Sequence, residues 1–299
     1  MSNFLSAIVI KPKPGDSPEI YCDPEHTDSH EHLIDARGLV DNGRNAFVRV
    51  EFSLRYSDFT DLDSYKLRID QHNTPDWFND AMQDYTLREL RARVKRMILT
   101  DSRKLLLGGC WILADHARII HVLSSRLIAV CDHAKIDRIS GQAKIDWVRN
   151  QAKIDAVHDQ AKIGAVYHHV EINWVADQAK IGTVRDQAKI STIRDRAEIG
   201  AICDWAEISE VCGQVKIGAV RDQATISIVS DQAKIGEVCD EATIGAVCGQ
   251  VKIGTVRDQA KIGAVYHHVE ISKVCGVAKI GAIADEAEIG EVRGDAARS

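Results

Sequence analysis

This sequence predicts a mainly β fold, a parallel β-solenoid of about 18 residues per coil preceded by a small α+β domain, and three observations carry that prediction. From Ser125 to Gly294 the chain repeats every nine residues around the consensus D-Q-A-K-I-G-A-V-x. The apolar slots within each copy suit a bent strand and exclude a helix. Slots that a core does not dictate recur over two copies rather than one.

The repeat holds its phase without an insertion. Its central apolar slot is Leu127, then Ile136, Ile145, Ile154 and onward to Ile289, nineteen positions in all. Val or Ile follows three residues later, from Val130 to Val292, and a small residue stands two before, usually Ala (Ala134, Ala143) and sometimes Val (Val170, Val215). In a helix, nine residues at about 100° each rotate by about 900°, so successive copies would face opposite ways. Gly after the Ile (Gly164, Gly182, Gly200) would also cost a helix about 1 kcal/mol each. As a strand, A-K-I alternates in, out, in. The three-residue step from Ile to Val breaks that alternation and calls for a bend at the Gly/Ser/Asp slot, while D-Q or G-Q offers a second turn. Nine residues are too few to surround a packed core, so two copies make one coil.

The 18-residue period is visible in the slot after the Val. Every second copy reads Cys131, Arg149, Tyr167, Arg185, Cys203, Arg221, and the alternation with Arg continues to Arg293. Stacked guanidinium groups on every coil would repel; Cys or Tyr between them spaces the charge to about 10 Å, near the Debye length. After the Ile, one file carries Gly164, Gly182 and Gly200, while the other carries Asp155, Asn173 and Ser191. Nineteen copies give about 9.5 coils and, at ~4.8 Å per stacked strand, a rod of roughly 45 Å. Each coil buries about two Ile and two Val, worth ~1.5–3 kcal/mol per side chain. Stability comes from stacking, since no coil stands alone.

The unit A-K-I-G resembles the small-x-Ile-Gly unit of hexapeptide left-handed β-helices, and the array is distantly similar to pentapeptide-repeat proteins. The resemblance implies a similar coil and no activity, because the period here is nine rather than six or five. The G-G-x-G-x-D turn of calcium-binding β-rolls is missing. Between Cys110 and Ser299 the array has 23 Lys+Arg against 26 Asp+Glu, a balance that argues against nucleic acid and against a mimic of it.

The stretch DQAKIGAVYHHVEI occurs at Asp159–Ile172 and again at Asp258–Ile271. The 99-residue shift equals eleven copies, an odd number, so the two tyrosine–histidine clusters are expected on opposite half-coils. They read as a duplicated segment rather than as one pocket.

Residues 1–107 are not repetitive and are assigned to the α+β domain, 108–294 to the solenoid and 295–299 to a polar tail. Within the first, SNFLSAIVI and NAFVRVEFSLRY read as strands. TPDWFNDAMQDYTLRELRARVKRMI reads as a helix capped by Thr74 with Pro75 at its first position. A solenoid leaves two open ends that invite strand pairing. The N-terminal domain is expected to cover one, and a second copy of the chain to cover the other through the C-terminal coil, the alternative being a polar frayed end.

DPEHTDSHEHLID places His26, His30 and His32 among five carboxylates. His-x3-His on a helix, or His-x-His on a strand, can direct two imidazoles to one metal; a solvated acidic loop has the same composition. Trp147, Trp174 and Trp205 stand at slots expected to point outward, where they would serve as anchors for a protein partner.

Net charge is −6, hydrophobic content 45% and aromatic content 5%. The start lacks the basic and long apolar regions of a secretory signal, and no apolar run approaches the ~18 residues of a membrane helix. No two of the six array cysteines stand one coil apart, so reduced thiols in a cytoplasm are expected. The reading that follows is a non-enzymatic scaffold or macromolecule-binding protein, an end-to-end homodimer with no cofactor. The alternative is a metal-binding or enzymatic module in the N-terminal domain, with the solenoid as spacer.

Overall fold

The computed structural model describes residues 3–23, 29–40, 46–54, 58–294 and 297–298. The chain divides into two compact units, Met1–Ile98 and Leu99–Ser299.

The first unit is built on a four-stranded antiparallel sheet. Its strands are β1 (Asn3–Ile10), β2 (Glu19–Tyr21), β3 (Phe47–Leu54) and β4 (Tyr65–Ile69), in the order β2-β1-β3-β4. The two central strands are the most apolar, as burial on both faces requires: Ala7, Ile8, Val9, Val48, Val50 and Phe52 are all fully buried. Phe52 stacks on Tyr65 with ring centroids 4.8 Å apart, and the Tyr65 hydroxyl donates to the Phe59 carbonyl at 3.0 Å. Helix α1 (His30–Ala36) packs Leu33 and Ile34 against Ile8 and Phe47.

Helix α2 runs from Asp80 to Met97, five residues later than a Pro75 start. Asn79 caps it, its side-chain oxygen accepting the Met82 amide at 3.2 Å. Thr74 stands outside, because Pro75–Phe78 closes its own turn (Phe78 N–H to Pro75 O, 2.9 Å) and buries the Phe78 ring. Two acceptable capping side chains stand five residues apart in the sequence, and burial of Phe78 selects the second. The inward face is Thr86, Leu90 and Val94, spaced by four.

The second unit is a parallel β-solenoid of two twelve-stranded sheets. Sheet I contains Leu127, Ile145 and Ile163; sheet II contains Ile119, Ile136 and Ile154. Each strand of the repeat is about five residues long, and its parallel partners lie 18 residues away: Ile163 opposite Ile181, Val166 opposite Val184. The twelve strands per sheet exceed the expected 9.5 coils because the irregular segment also stacks. Ser102–Leu107 pairs with Arg118–Leu123. There Leu106 stands opposite Val122 but Arg103 opposite Ile119, so the consensus is lost while the backbone pairing persists.

The small, Ile and Val slots form one continuous core, from Leu99 to Ile280. The bend within each strand is real. Lys162, Ile163, Ala165 and Val166 each pair with the next coil, and Gly164 between them is skipped. That kink turns Ile and Val, three residues apart, to the same interior. It also brings backbones close: a Cβ on Gly218 would lie 2.3 Å from the Gly200 carbonyl oxygen, and one on Gly263 of sheet II 2.5 Å from the Gly245 carbonyl oxygen.

The second turn is governed by the Asp slot. Asp159, Asp177, Asp195 and their equivalents adopt positive φ near 60°, a region that Asp tolerates better than most residues. Their carboxylates then accept backbone amides of the preceding coil: Gly141 N–H to Asp159 Oδ2 at 2.9 Å, Asp159 N–H to Asp177 Oδ2 at 3.2 Å. One side chain therefore both shapes the turn and ties it to its neighbour.

Candidate functional site

Outside the core, every slot becomes a column of side chains running along the solenoid, and the columns differ between sheets. On sheet I the Lys/Glu column holds Arg126, Lys144, Lys162, Lys180, Lys216, Lys234 and Lys252 against Glu198, Glu270 and Glu288. Beside it runs the Gln slot, with Gln178, Arg196, Gln214, Gln232 and Gln250. Between these columns lies a groove of about 600 Å³ that extends from Gln178 to Lys252.

The groove is ordered along its length. Gln214 donates to Gln232 at 3.2 Å and Gln232 to Gln250 at 3.4 Å. Glu198 pairs with Lys180 at 2.5 Å and Lys216 at 3.8 Å; the Lys180 hydrogen bond holds its carboxyl below the usual range, and the Lys216 charge adds to the effect. Gly213 and Gly249 replace Asp in the turn slot next to the groove, so two carboxylates of the column are absent there. Each Gln stands two residues before a Lys or Glu of the column, whereas its ladder partners are 18 residues away and meet it only when the coils stack.

Sheet II carries a smaller groove of about 320 Å³ lined by His116, His133, His169, Lys135 and Lys153 with Gln151 and Glu171. The His116 and His133 rings stack in parallel, 5.1 Å apart. Lys153 bonds Glu171 across one coil at 2.6 Å.

The Cys/Arg column is largely withdrawn from water: Cys131, Arg149, Cys203 and Cys239 are buried. Burial, then the charge of Asp132, pushes the Cys131 thiol up to about 12. Burial also raises Tyr167, over whose ring the Arg185 guanidinium sits at 5.0 Å. Cys239, Asp240 and Asp258 approach one another closely enough to suggest a metal. Burial and the Asp240 hydrogen bond push this thiol to about 12, and Arg257 pairs with Asp258.

In the N-terminal unit, His26 lies outside the described residues. His30 and His32 lie on α1 rather than on a strand, two residues apart and so on different faces. His30 contacts the Val50 carbonyl at 3.0 Å and Asp70 at 3.3 Å; His32 lies 3.8 Å from Asp23. Trp147 is half-buried on sheet I, while Trp174 lies exposed on sheet II, with the Arg194 guanidinium 4.7 Å above its ring. Trp205, in a turn, bonds Gln223 and stays exposed. The three do not share a patch. The duplicated tyrosine–histidine clusters likewise follow strands of opposite sheets, Lys162–Val166 and Lys261–Val265. Their turns also differ: positive φ falls on His168 in the first and on the second histidine, His268, in the other.

Among the described residues no helix is long and apolar enough to cross a membrane. No protein-family model matches the chain, and no curated protein or solved structure shows significant similarity to it.

Proposed function

We propose that the protein is a non-enzymatic scaffold that binds an extended macromolecule along the outside of its solenoid. The observation that carries this reading is the groove of about 600 Å³ on sheet I, whose lining repeats coil by coil. A polymer with regularly spaced groups meets the same chemistry at each step of ~4.8 Å. The lining has five cationic side chains and one carboxylate, so the polymer is anionic.

The same reading includes self-association. In the last coil Ile283 and Ile289 are only half-buried and Val292 is 38% exposed. A depression of about 630 Å³ lies against Ile283 and Ile289, and Glu288–Val292 ends the order of sheet I. An apolar coil end whose strand edge is unpaired among the described residues is complementary to another such end.

The test is sedimentation of the purified chain with linear anionic polymers of several chemistries and with a neutral glucan. Binding to at least one anionic polymer, lost in Lys216→Glu/Lys234→Glu/Lys252→Glu, supports the reading. Binding to none, or binding indifferent to those changes, refutes it.

A further inference from the structure

We propose that the sheet I groove is a site for linear inorganic polyphosphate, an inference that rests on the macromolecule-binding reading and names its ligand. The argument is the inventory of donors and acceptors. Lys and Arg only donate. The ladder amides donate one N–H along the stack (Gln214 to Gln232, Gln232 to Gln250), and each keeps a second N–H, because a primary amide has two. The ladder engages the carbonyl oxygens of Gln232 and Gln250, and Glu198, the one carboxylate in the lining, is held between Lys180 and Lys216. The carbonyl oxygens of Gln178 and Gln214 stay outside the ladder, so the groove presents mainly donors, with two open acceptors.

A matching ligand accepts hydrogen bonds and donates none. Polyphosphate does this along its whole length. An acidic polysaccharide carries hydroxyl donors, and an acidic peptide backbone N–H groups, at every step, more than the two open carbonyl oxygens can pair, and the rest would be left unpaired at a cost. Single-stranded nucleic acid needs aromatic platforms for its bases, and the groove is lined by Gln, Lys, Arg and Glu alone.

Position supports the same ligand. Lys216, Lys234 and Lys252 lie on consecutive strands of sheet I, about 4.8 Å apart, a line of ammonium groups facing a line of amides, with Lys252 at its end paired to Glu270 at 2.5 Å. Lys234, at its centre, has no carboxylate partner among the described residues. The turn-slot carboxylates that would repel a polyanion are replaced by Gly213 and Gly249 on either side of Asp231.

The experiment is calorimetric titration of the full chain with polyphosphate of graded length, with oligothymidylate, polygalacturonate and polyglutamate at matched charge. Polyphosphate should bind at least tenfold tighter than the other three. Its affinity should climb with chain length and level off beyond the span from Lys180 to Lys252, about 19 Å. Lys216→Ala/Lys234→Ala/Lys252→Ala should weaken it at least tenfold and reduce the salt slope by about 2. Lys135→Ala/Lys153→Ala/Lys189→Ala, on sheet II, should leave it within twofold. Glu198→Gln, which removes the carboxylate without touching the core, should tighten binding. Equal or tighter binding of another polymer through the same lysines would overturn the polyphosphate assignment and leave the scaffold reading standing. Weakening by Glu198→Gln, equal loss in the sheet II variant, or no polyphosphate binding would overturn it as well.

Discussion

Asp159 carries two separable duties, a positive φ of 57° and acceptance of the Gly141 amide at 2.9 Å. Alanine loses both and glycine only the second. Asp159→Ala should therefore cost about 1–2 kcal/mol more than Asp159→Gly, the penalty of a left-handed backbone for a Cβ-bearing residue, measured by urea unfolding. Equal losses would mean that the hydrogen bond alone matters. The buried thiols make a second prediction. Cys131 and Cys239 are raised from 9.0 to about 12, in both cases mainly by burial. Their folded pKa exceeds the unfolded value, so the native chain keeps protons that the unfolded chain releases. That stabilisation is complete below about 9 and declines as pH rises toward 12. Melting temperature should fall over that window, and less steeply in Cys131→Ala/Cys239→Ala if the variant folds. At pH 8, maleimide should label half-exposed Cys275 well before Cys131, Cys203 and Cys239, as peptide mass spectrometry would register.

At the scale of elements, each coil contacts its two neighbours through backbone pairing and the shared Ala–Ile–Val core. Ile217 is 3% exposed and stands between Ile199 and Ile235. Ile217→Asp places an uncompensated charge there, at roughly 3–5 kcal/mol. Hydrogen exchange should then rise together across the adjoining coils, with little change in β1 and β3. Loss of protection confined to one strand would contradict nearest-neighbour stacking. Strands of the array were legible because period nine with an internal bend leaves few solutions. The start of α2 was not, since Thr74 and Asn79 are both good caps and only burial of Phe78 chooses between them. The strand Ser102–Leu107 was hidden for a related reason: backbone pairing there tolerates Arg103 opposite Ile119.

For the whole molecule, net charge −6 coexists with a cationic groove, so charge distribution rather than the total bears on partners. Self-association through the last coil has a direct readout. Light scattering should return the mass of two 33.1 kDa chains, falling to one in Ile289→Lys/Val292→Lys; a single-chain mass for the unaltered protein would remove that part of the proposal. By itself the amino-acid sequence determined the strand pattern, the 18-residue coil and the separation of the duplicated histidine clusters. These follow from periodicity, a local property that any solution of the packing must respect. Only the tertiary structure decided that Asp ties coil to coil, that the cysteine column is buried, and that Gln214, Gln232 and Gln250 form a wall beside Lys216, Lys234 and Lys252. Those contacts join residues one full coil apart, and stacking brings them together.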